Sequence, residues 1–218
     1  LSGPGFRSVV LDVDSTLCGI EGIDWLAARR NNDVAERVEL ETAMAMRGEI
    51  PLEAVYANRL ALVKPTREEI RILGDMYISS IAAGADEIIR SWKRSGIVVA
   101  LLSGGIRQAI IPLAMKLGIE EKRVFAVDVR FDGSGNYQGF DETSPLSTAV
   151  GKREAVERMK LERPLLTVGD GTTDLATRDV SDAFAAFIGF AARGPVMRGA
   201  DVVVESFNEL DRIVTNGI

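Results

Sequence analysis

Histidine is absent from the 218 residues, and cysteine occurs once. The first absence excludes Ser-His-Asp and Cys-His catalysis, phosphohistidine intermediates and metal sites built on imidazole. The second excludes disulfide frameworks, zinc ribbons and paired-cysteine redox centres. A phosphatase thiolate of the Cys-x5-Arg kind would need arginine six positions after Cys18, and Asp24 stands there. Any catalysis must therefore rest on carboxylates, lysine, arginine, hydroxyls or a bound cofactor. No apolar run reaches the length of a membrane span, and no signal peptide or polybasic patch is evident. Lys and Arg number 26 against 32 Asp and Glu, a formal net charge of −6, with no basic stripe. Neither nucleic acid nor a membrane is an expected partner. The chain begins at Leu1 rather than methionine, which reads as a processed or trimmed start. Sparing use of cysteine fits a reducing compartment, so a cytoplasmic location is expected.

What is present is the composition of a globular protein, 46% hydrophobic and 27% charged. The length fits one domain with a large insertion, or two small ones. Arg7 to Val13 is a short β-branched run and reads as a buried strand. Four helices then follow without a credible strand: Ile23–Arg30, Asp33–Arg47, Leu52–Val63 and Arg67–Met76. Thr66 with Glu69 three residues later forms a capping box for the last. After Gly84, helices and strands alternate. Strands are expected at Ile97–Leu102, Val124–Phe131, Leu165–Val168, Ala183–Ile188 and Val202–Val204. Helices are expected at Asp86–Ser95, Ile106–Leu117, Gly151–Leu161, Thr172–Val180 and Asn208–Val214, with a hairpin turn at Asp132–Asn136. Such alternation predicts an α/β fold with a doubly wound parallel sheet. The all-helical stretch directly after the first strand predicts a helical cap inserted into that core. The expected division is a core of residues 1–17 and 85–218 and a cap of residues 18–84.

In open α/β sheets ligands bind beyond the carboxyl ends of the strands, so the residues there are a search for the site. Strand one ends in Asp12-Val13-Asp14-Ser15-Thr16, strand two in Ser103-Gly104-Gly105, and the Leu165 strand in Gly169-Asp170-Gly171-Thr172-Thr173-Asp174. Asp12 and Asp14 fall on one side of an extended backbone. Asp170 and Asp174 fall on one face of a helix start. Four carboxylates in one crevice repel, and a hard divalent cation, Mg²⁺ with phosphate oxygens, removes the conflict. Ser103-Gly104-Gly105 opening a helix would supply a hydroxyl and free N–H groups for an anion. Lys152, at the start of the helix before the Asp170 strand, would reach the same phosphate. Each element also has a plain structural reading: strand-end turns for the acids, a solvated helix lysine for Lys152. It is the ordered conjunction that points to metal and phosphate.

The Asp12–Thr16 segment resembles the DxDx[ST] signature of the haloacid dehalogenase superfamily of phosphatases. Ser103-Gly104 resembles its second motif, Lys152 its third and Gly169–Asp174 its GDGxxD fourth. Within that superfamily the chain is similar to the phosphoserine phosphatase family over nearly its whole length, in Ile20–Ala27, Met46–Leu62, Gly139–Pro145 and Asp182–Phe190. The resemblance implies a haloacid-dehalogenase-like core with a helical cap, and magnesium-dependent hydrolysis of O-phosphoserine in serine biosynthesis. Asp12 would be the nucleophile that forms an aspartyl-phosphate, and Asp14 the general acid and base. Asp12, the Asp14 carbonyl and Asp170 would hold Mg²⁺ with Asp174 in support; Ser103, Gly104 and Lys152 would hold the phosphoryl oxygens. Arg59, inward-facing in the middle of an apolar stripe on its helix, would take the substrate carboxylate, or form an internal ion pair. Glu21 would meet the substrate ammonium, or simply favour a helix N-terminus. Met46 and Thr173 would lie near the substrate, Met46 being otherwise core filler. Leu52 departs from the family, where an aromatic residue is frequent. Three other readings stay open: a phosphatase of the same superfamily for another small phosphomonoester, a receiver-like signalling domain, and an inactive binding protein. A homodimer is among the assemblies that the sequence leaves open.

Overall fold

The computed structural model describes residues 5–46, 49–50 and 52–218; the side chains of residues 45, 46 and 52–54 lie outside that set. The elements run β1 (Ser8–Leu11), α1 (Gly22–Ala27), α2 (Asn32–Met46), α3 (Leu52–Val63), α4 (Arg67–Ser79), α5 (Ala85–Arg94), β2 (Val98–Ile106), α6 (Arg107–Lys116), β3 (Val124–Val127), β4 (Val129–Phe131), β5 (Tyr137–Phe140), α7 (Gly151–Met159), β6 (Leu165–Gly169), α8 (Thr172–Leu175), β7 (Ala183–Phe187), α9 (Gly194–Gly199), β8 (Val202–Val204) and α10 (Phe207–Asn216). Short 3₁₀ turns lie at Glu121–Arg123, Pro145–Ser147 and Ala176–Val180.

Six strands form one parallel sheet in the order β3-β2-β1-β6-β7-β8. Every residue of β1, β6 and β7 is buried. That is why these runs read as continuously apolar rather than alternating. The chain moves outward from β1 through β2 and β3 on one side, and through β6, β7 and β8 on the other. The strand order therefore reverses at β1, and the crevice beside its carboxyl end is the expected ligand site. Register brings the tips level: Leu11 pairs with Leu101 on one side and Val168 on the other. Asp12, the start of the Ser103 segment and Asp170 consequently emerge together.

Helices α1 to α4 all fall between β1 and α5, as the sequence predicts. The two connections to this helical segment run side by side. Gly19 N–H donates to Ser80 O, and Ala82 N–H donates to Leu17 O, each at 2.9 Å. The α4 capping box is formed as expected, with Thr66 Oγ1 accepting from Glu69 N and Glu69 Oε2 accepting from Thr66 N. Glu69 also pairs with Arg30, reaching from the turn after α1 at 2.6 and 2.8 Å.

Three sequence expectations need correction. The strand expected at Val124–Phe131 is two strands. β3 belongs to the main sheet, whereas β4 leaves it to pair antiparallel with β5. The break is held by Gln108, whose side chain donates to Val129 O at 2.8 Å and accepts from Val129 N at 3.2 Å, standing in for a strand partner. Second, β2 continues through Ser103-Gly104-Gly105 to Ile106, so that segment does not open a helix. Its pairing with β3 shifts register between Leu102 and Ile106, and the Gly105 N–H is taken by Ser103 Oγ at 2.7 Å. Third, the helix expected at Thr172–Val180 is one α-turn followed by a 3₁₀ turn.

Candidate active site

A pocket beside the carboxyl ends of β1, β2 and β6 is lined by Asp12, Asp14, Glu21, Tyr56, Arg59, Gly104, Gly105, Lys152, Asp170, Thr173 and Asp174, among others. Nearly all the site residues expected from the sequence thus share one cavity, of about 70 Å³. Ser103 stands behind its wall, buried, with Oγ donating to Asp14 Oδ2 at 3.0 Å. The Met46 side chain lies outside the described residues.

At the floor, Lys152 Nζ donates to Asp12 Oδ1 at 2.6 Å and to Asp174 Oδ1 at 2.7 Å. All three groups are buried, so the expectation of a solvated helix lysine is excluded. Burial raises the pKa of the Asp12 carboxyl well above the ordinary value, helped by the nearby Asp174 and Asp14 carboxylates and opposed by Lys152. Burial alone would pull the Lys152 ammonium down, but Asp12 and Asp174 outweigh it and hold its pKa above the ordinary value. Asp174 is fixed in turn by the Gly171 N–H, 3.0 Å from its Oδ2. Gly169 makes this approach possible, because a Cβ there would lie 2.2 Å from Asp174 Cγ.

Asp12, Asp170 and Asp174 each offer an oxygen within 4.8 Å of the others. Three buried carboxylates with no nitrogen or sulfur donor suit a hard, oxygen-seeking cation. The Asp14 side chain stands apart from this cluster. Its Oδ1 accepts from Gly22 N at 2.7 Å and from the Tyr77 hydroxyl at 2.8 Å, and its Oδ2 accepts from Ser103. Asp12 and Asp14, two residues apart, are thereby given different surroundings: one beside a lysine, the other among neutral donors.

On the opposite wall Arg59 is 5% exposed, with Nη2 donating to Asp24 Oδ1 at 3.2 Å. It therefore lines the pocket and forms an internal ion pair as well. Glu21 precedes α1 but does not cap it; its Oε1 accepts from Ser15 Oγ at 2.7 Å. Ser15 takes a left-handed φ of 53° in doing so, uncommon for a residue with a side chain. Burial, and then the Asp14 carboxylate, push the Glu21 carboxyl up to about 7.

Sequence reasoning did not find Tyr77, Tyr56 or Arg193. Tyr77 is fully buried on α4, where its spacing from Ile70 and Leu73 is that of core residues. Burial first, and then the Asp14 charge, raise the pKa of its phenol well above the ordinary value, so it remains a donor. Arg193, on the loop after β7, pairs with Asp170 and lies 3.7 Å from Glu21 Oε1. Extending the list of strand tips to β7 would have found it.

The family model for haloacid dehalogenase-like hydrolases matches residues 9–177. The chain is 37% identical over 211 residues to a chloroplastic phosphoserine phosphatase of Arabidopsis thaliana, covering 94% of this chain and 70% of the relative. It is 35% identical over 206 residues to the phosphoserine phosphatase of Bos taurus, covering 93% and 91%. Among solved structures, a phospho-aspartyl intermediate analogue of a phosphoserine phosphatase superposes with a TM-score of 0.78 at 26% identity, covering 95% of this chain and 98% of that one. The chain belongs to the haloacid dehalogenase-like hydrolases and, among them, to the family of the phosphoserine phosphatases.

Proposed function

We propose that the protein is a magnesium-dependent phosphatase of serine biosynthesis that hydrolyses O-phosphoserine to serine and phosphate through an aspartyl-phosphate on Asp12. The observation that carries this reading is the single pocket that joins the Asp12–Lys152–Asp174 triad and Asp170 to Arg59 and Glu21. One end is built for a phosphoryl group, and the other carries one cationic and one anionic group, the complement of an amino acid. The phosphoserine phosphatases among its relatives, and the structure of an aspartyl-phosphate analogue of one of them, support the same chemistry.

In the first displacement an Asp12 carboxylate oxygen attacks phosphorus in line, and the bond from phosphorus to the seryl oxygen breaks. Asp14 gives that oxygen its proton. In the second, Asp14 takes a proton from water as the water attacks phosphorus, releasing phosphate and restoring Asp12. Splitting one difficult hydrolysis in two is nucleophilic catalysis, and charge neutralisation supplies most of the rest. Lys152 holds Asp12 and a phosphoryl oxygen and Gly104 borders the others, which Ser103, behind the wall, reaches by turning its hydroxyl from Asp14. Mg²⁺, held by Asp12, Asp170 and the Asp14 carbonyl with Asp174 beside them, would neutralise the phosphoryl group's charge. Arg59 meets the substrate carboxylate, Glu21 its ammonium, and Thr173 and Met46 border the substrate. Residues 18–84 act as a cap over a core of residues 1–17 and 85–218, in a cytoplasmic enzyme. No helix among the described residues is long and apolar enough to cross a membrane.

Phosphate release from a panel of phosphomonoesters with Mg²⁺ tests this reading. O-phosphoserine should be the best substrate, Asp12→Asn should abolish turnover, and chelation should abolish it reversibly. Equal turnover of all small phosphomonoesters would point instead to a general phosphatase of the same superfamily. Turnover surviving in Asp12→Asn would overturn the mechanism.

A further inference from the structure

Tyr56 and Arg59 lie three residues apart on α3 and share one face of it. Both line the pocket, at 2% and 5% exposure. Arg59 commits Nη2 to Asp24, yet its buried Nε has no partner among the described residues. The Tyr56 hydroxyl has none either. A buried polar group that has lost water without gaining a partner is unfavourable and uncommon in a folded protein. Two such groups one helical turn apart, in the same cavity, point to a ligand that supplies what the protein does not. The Tyr56 ring packs edge-on against Phe140, with centroids 5.3 Å apart, so its hydroxyl is held where it is.

The chemistry of the missing partner follows from the pair. Arg59 Nε–H can only donate, and Tyr56 beside it donates most readily to an anion. An ammonium group is excluded beside a guanidinium. The phosphoryl group has its own cation in Lys152, on α7 against the Asp12 end of the pocket. A carboxylate, with two acceptor oxygens, matches two donors. We propose that Tyr56 Oη and Arg59 Nε together receive the substrate carboxylate, which makes Tyr56 a specificity-determining residue; this rests on the reading of the pocket as a phosphoserine site.

The test is Tyr56→Phe, which removes one oxygen and keeps the ring. Its kcat/KM is measured for O-phosphoserine and for O-phosphoethanolamine, which carries the amine and phosphate without the carboxylate. Where phosphoethanolamine turns over slowly, its inhibition constant replaces kcat/KM. The preference for phosphoserine should fall about 10-fold or more, the scale of a hydrogen bond to a charged group, through KM rather than kcat. The melting temperature of the ligand-free variant should stay level or rise, because an unpartnered buried hydroxyl has been removed. A merely structural role predicts the reverse: a lower melting temperature and equal losses on both substrates. That result, or an unaltered preference, overturns the proposal. Arg59→Ala separates the two levels of the argument. If it loses the preference and Tyr56→Phe keeps it, the Tyr56 assignment alone falls. If neither substitution alters the preference between the substrates, the phosphoserine reading falls and takes the proposal with it.

Discussion

Asp14 accepts three hydrogen bonds, and the one from Tyr77 is the only one of them given by a side chain of the helical segment after β1. The phenol reaches the carboxylate because Gly22 has no side chain; a Cβ there would lie 2.1 Å from the Tyr77 oxygen. Removing the donor frees the carboxylate to turn without changing its chemistry. Tyr77→Phe should therefore lower kcat/KM on phosphoserine about 10-fold, the scale of one hydrogen bond to a charged group. The loss should be smaller for an aryl phosphate, whose leaving group needs no proton. Comparing kcat/KM for the two substrate types checks this, since that ratio reports on the step that forms the aspartyl-phosphate. Nothing in the α4 sequence separates Tyr77 from core tyrosines. Its role depends on where β1 and β2 place Asp14 and Gly105, and residue type carries no record of that.

Among the elements, α4 shows how a local signal acquires a tertiary task. Thr66 and Glu69 announce a helix start in the sequence, and they make one. Glu69 also receives Arg30 from the turn after α1, which ties two helices of the same segment together. The Arg30 hydrogen bonds come first, and with the Thr66 contacts they outweigh burial and lower the Glu69 carboxyl from 4.5 to about 2. A depressed carboxylate stabilises the fold fully above its unfolded value and ceases to do so as pH falls through the folded one. The wild type should therefore lose a component of stability between about pH 4.5 and 2 that Glu69→Gln lacks. Denaturant unfolding of both proteins across that range checks it. Thr66→Ala should cost about 1 kcal/mol at neutral pH, the usual worth of an N-cap side chain. Other elements were less legible. The β3–β4 break was hidden because Val124–Phe131 is apolar throughout except at Asp128 and Arg130. What divides it is a glutamine on α6, distant in sequence.

Across the molecule the acidic total conceals a local balance. Asp12, Asp14, Glu21, Asp170 and Asp174 line one cavity with Lys152 and Arg59, and Arg193 joins them at Asp170 and Glu21. Gathering so many carboxylates opposes folding unless they are neutralised, and a bound cation that prefers the folded site stabilises it by mass action. Adding Mg²⁺ to metal-free protein should raise the melting temperature, chelation should reverse the rise, and Asp170→Asn should show little of it. Thermal unfolding at several Mg²⁺ concentrations measures this directly. Backbone hydrogen bonds at Gly19–Ser80 and Leu17–Ala82 hold the two connections to the helical segment side by side.

The sequence by itself determined the alternation of elements, the interruption after the first strand and the chemistry of the strand tips. Those depend on short-range patterns: runs of β-branched residues, helical periodicity and the spacing of aspartates. Tertiary structure alone decided which groups meet. It turned Lys152 from a surface cation into a buried bridge between Asp12 and Asp174. It drew Ser103-Gly104-Gly105 into a strand, set Tyr77 on Asp14, and left the buried Tyr56 hydroxyl and Arg59 Nε without partners among the described residues. The physical reason is that burial and hydrogen-bond partnership are properties of packed neighbours, and those neighbours come from separate parts of the chain, 63 residues apart for Tyr77 and Asp14 and 140 for Asp12 and Lys152.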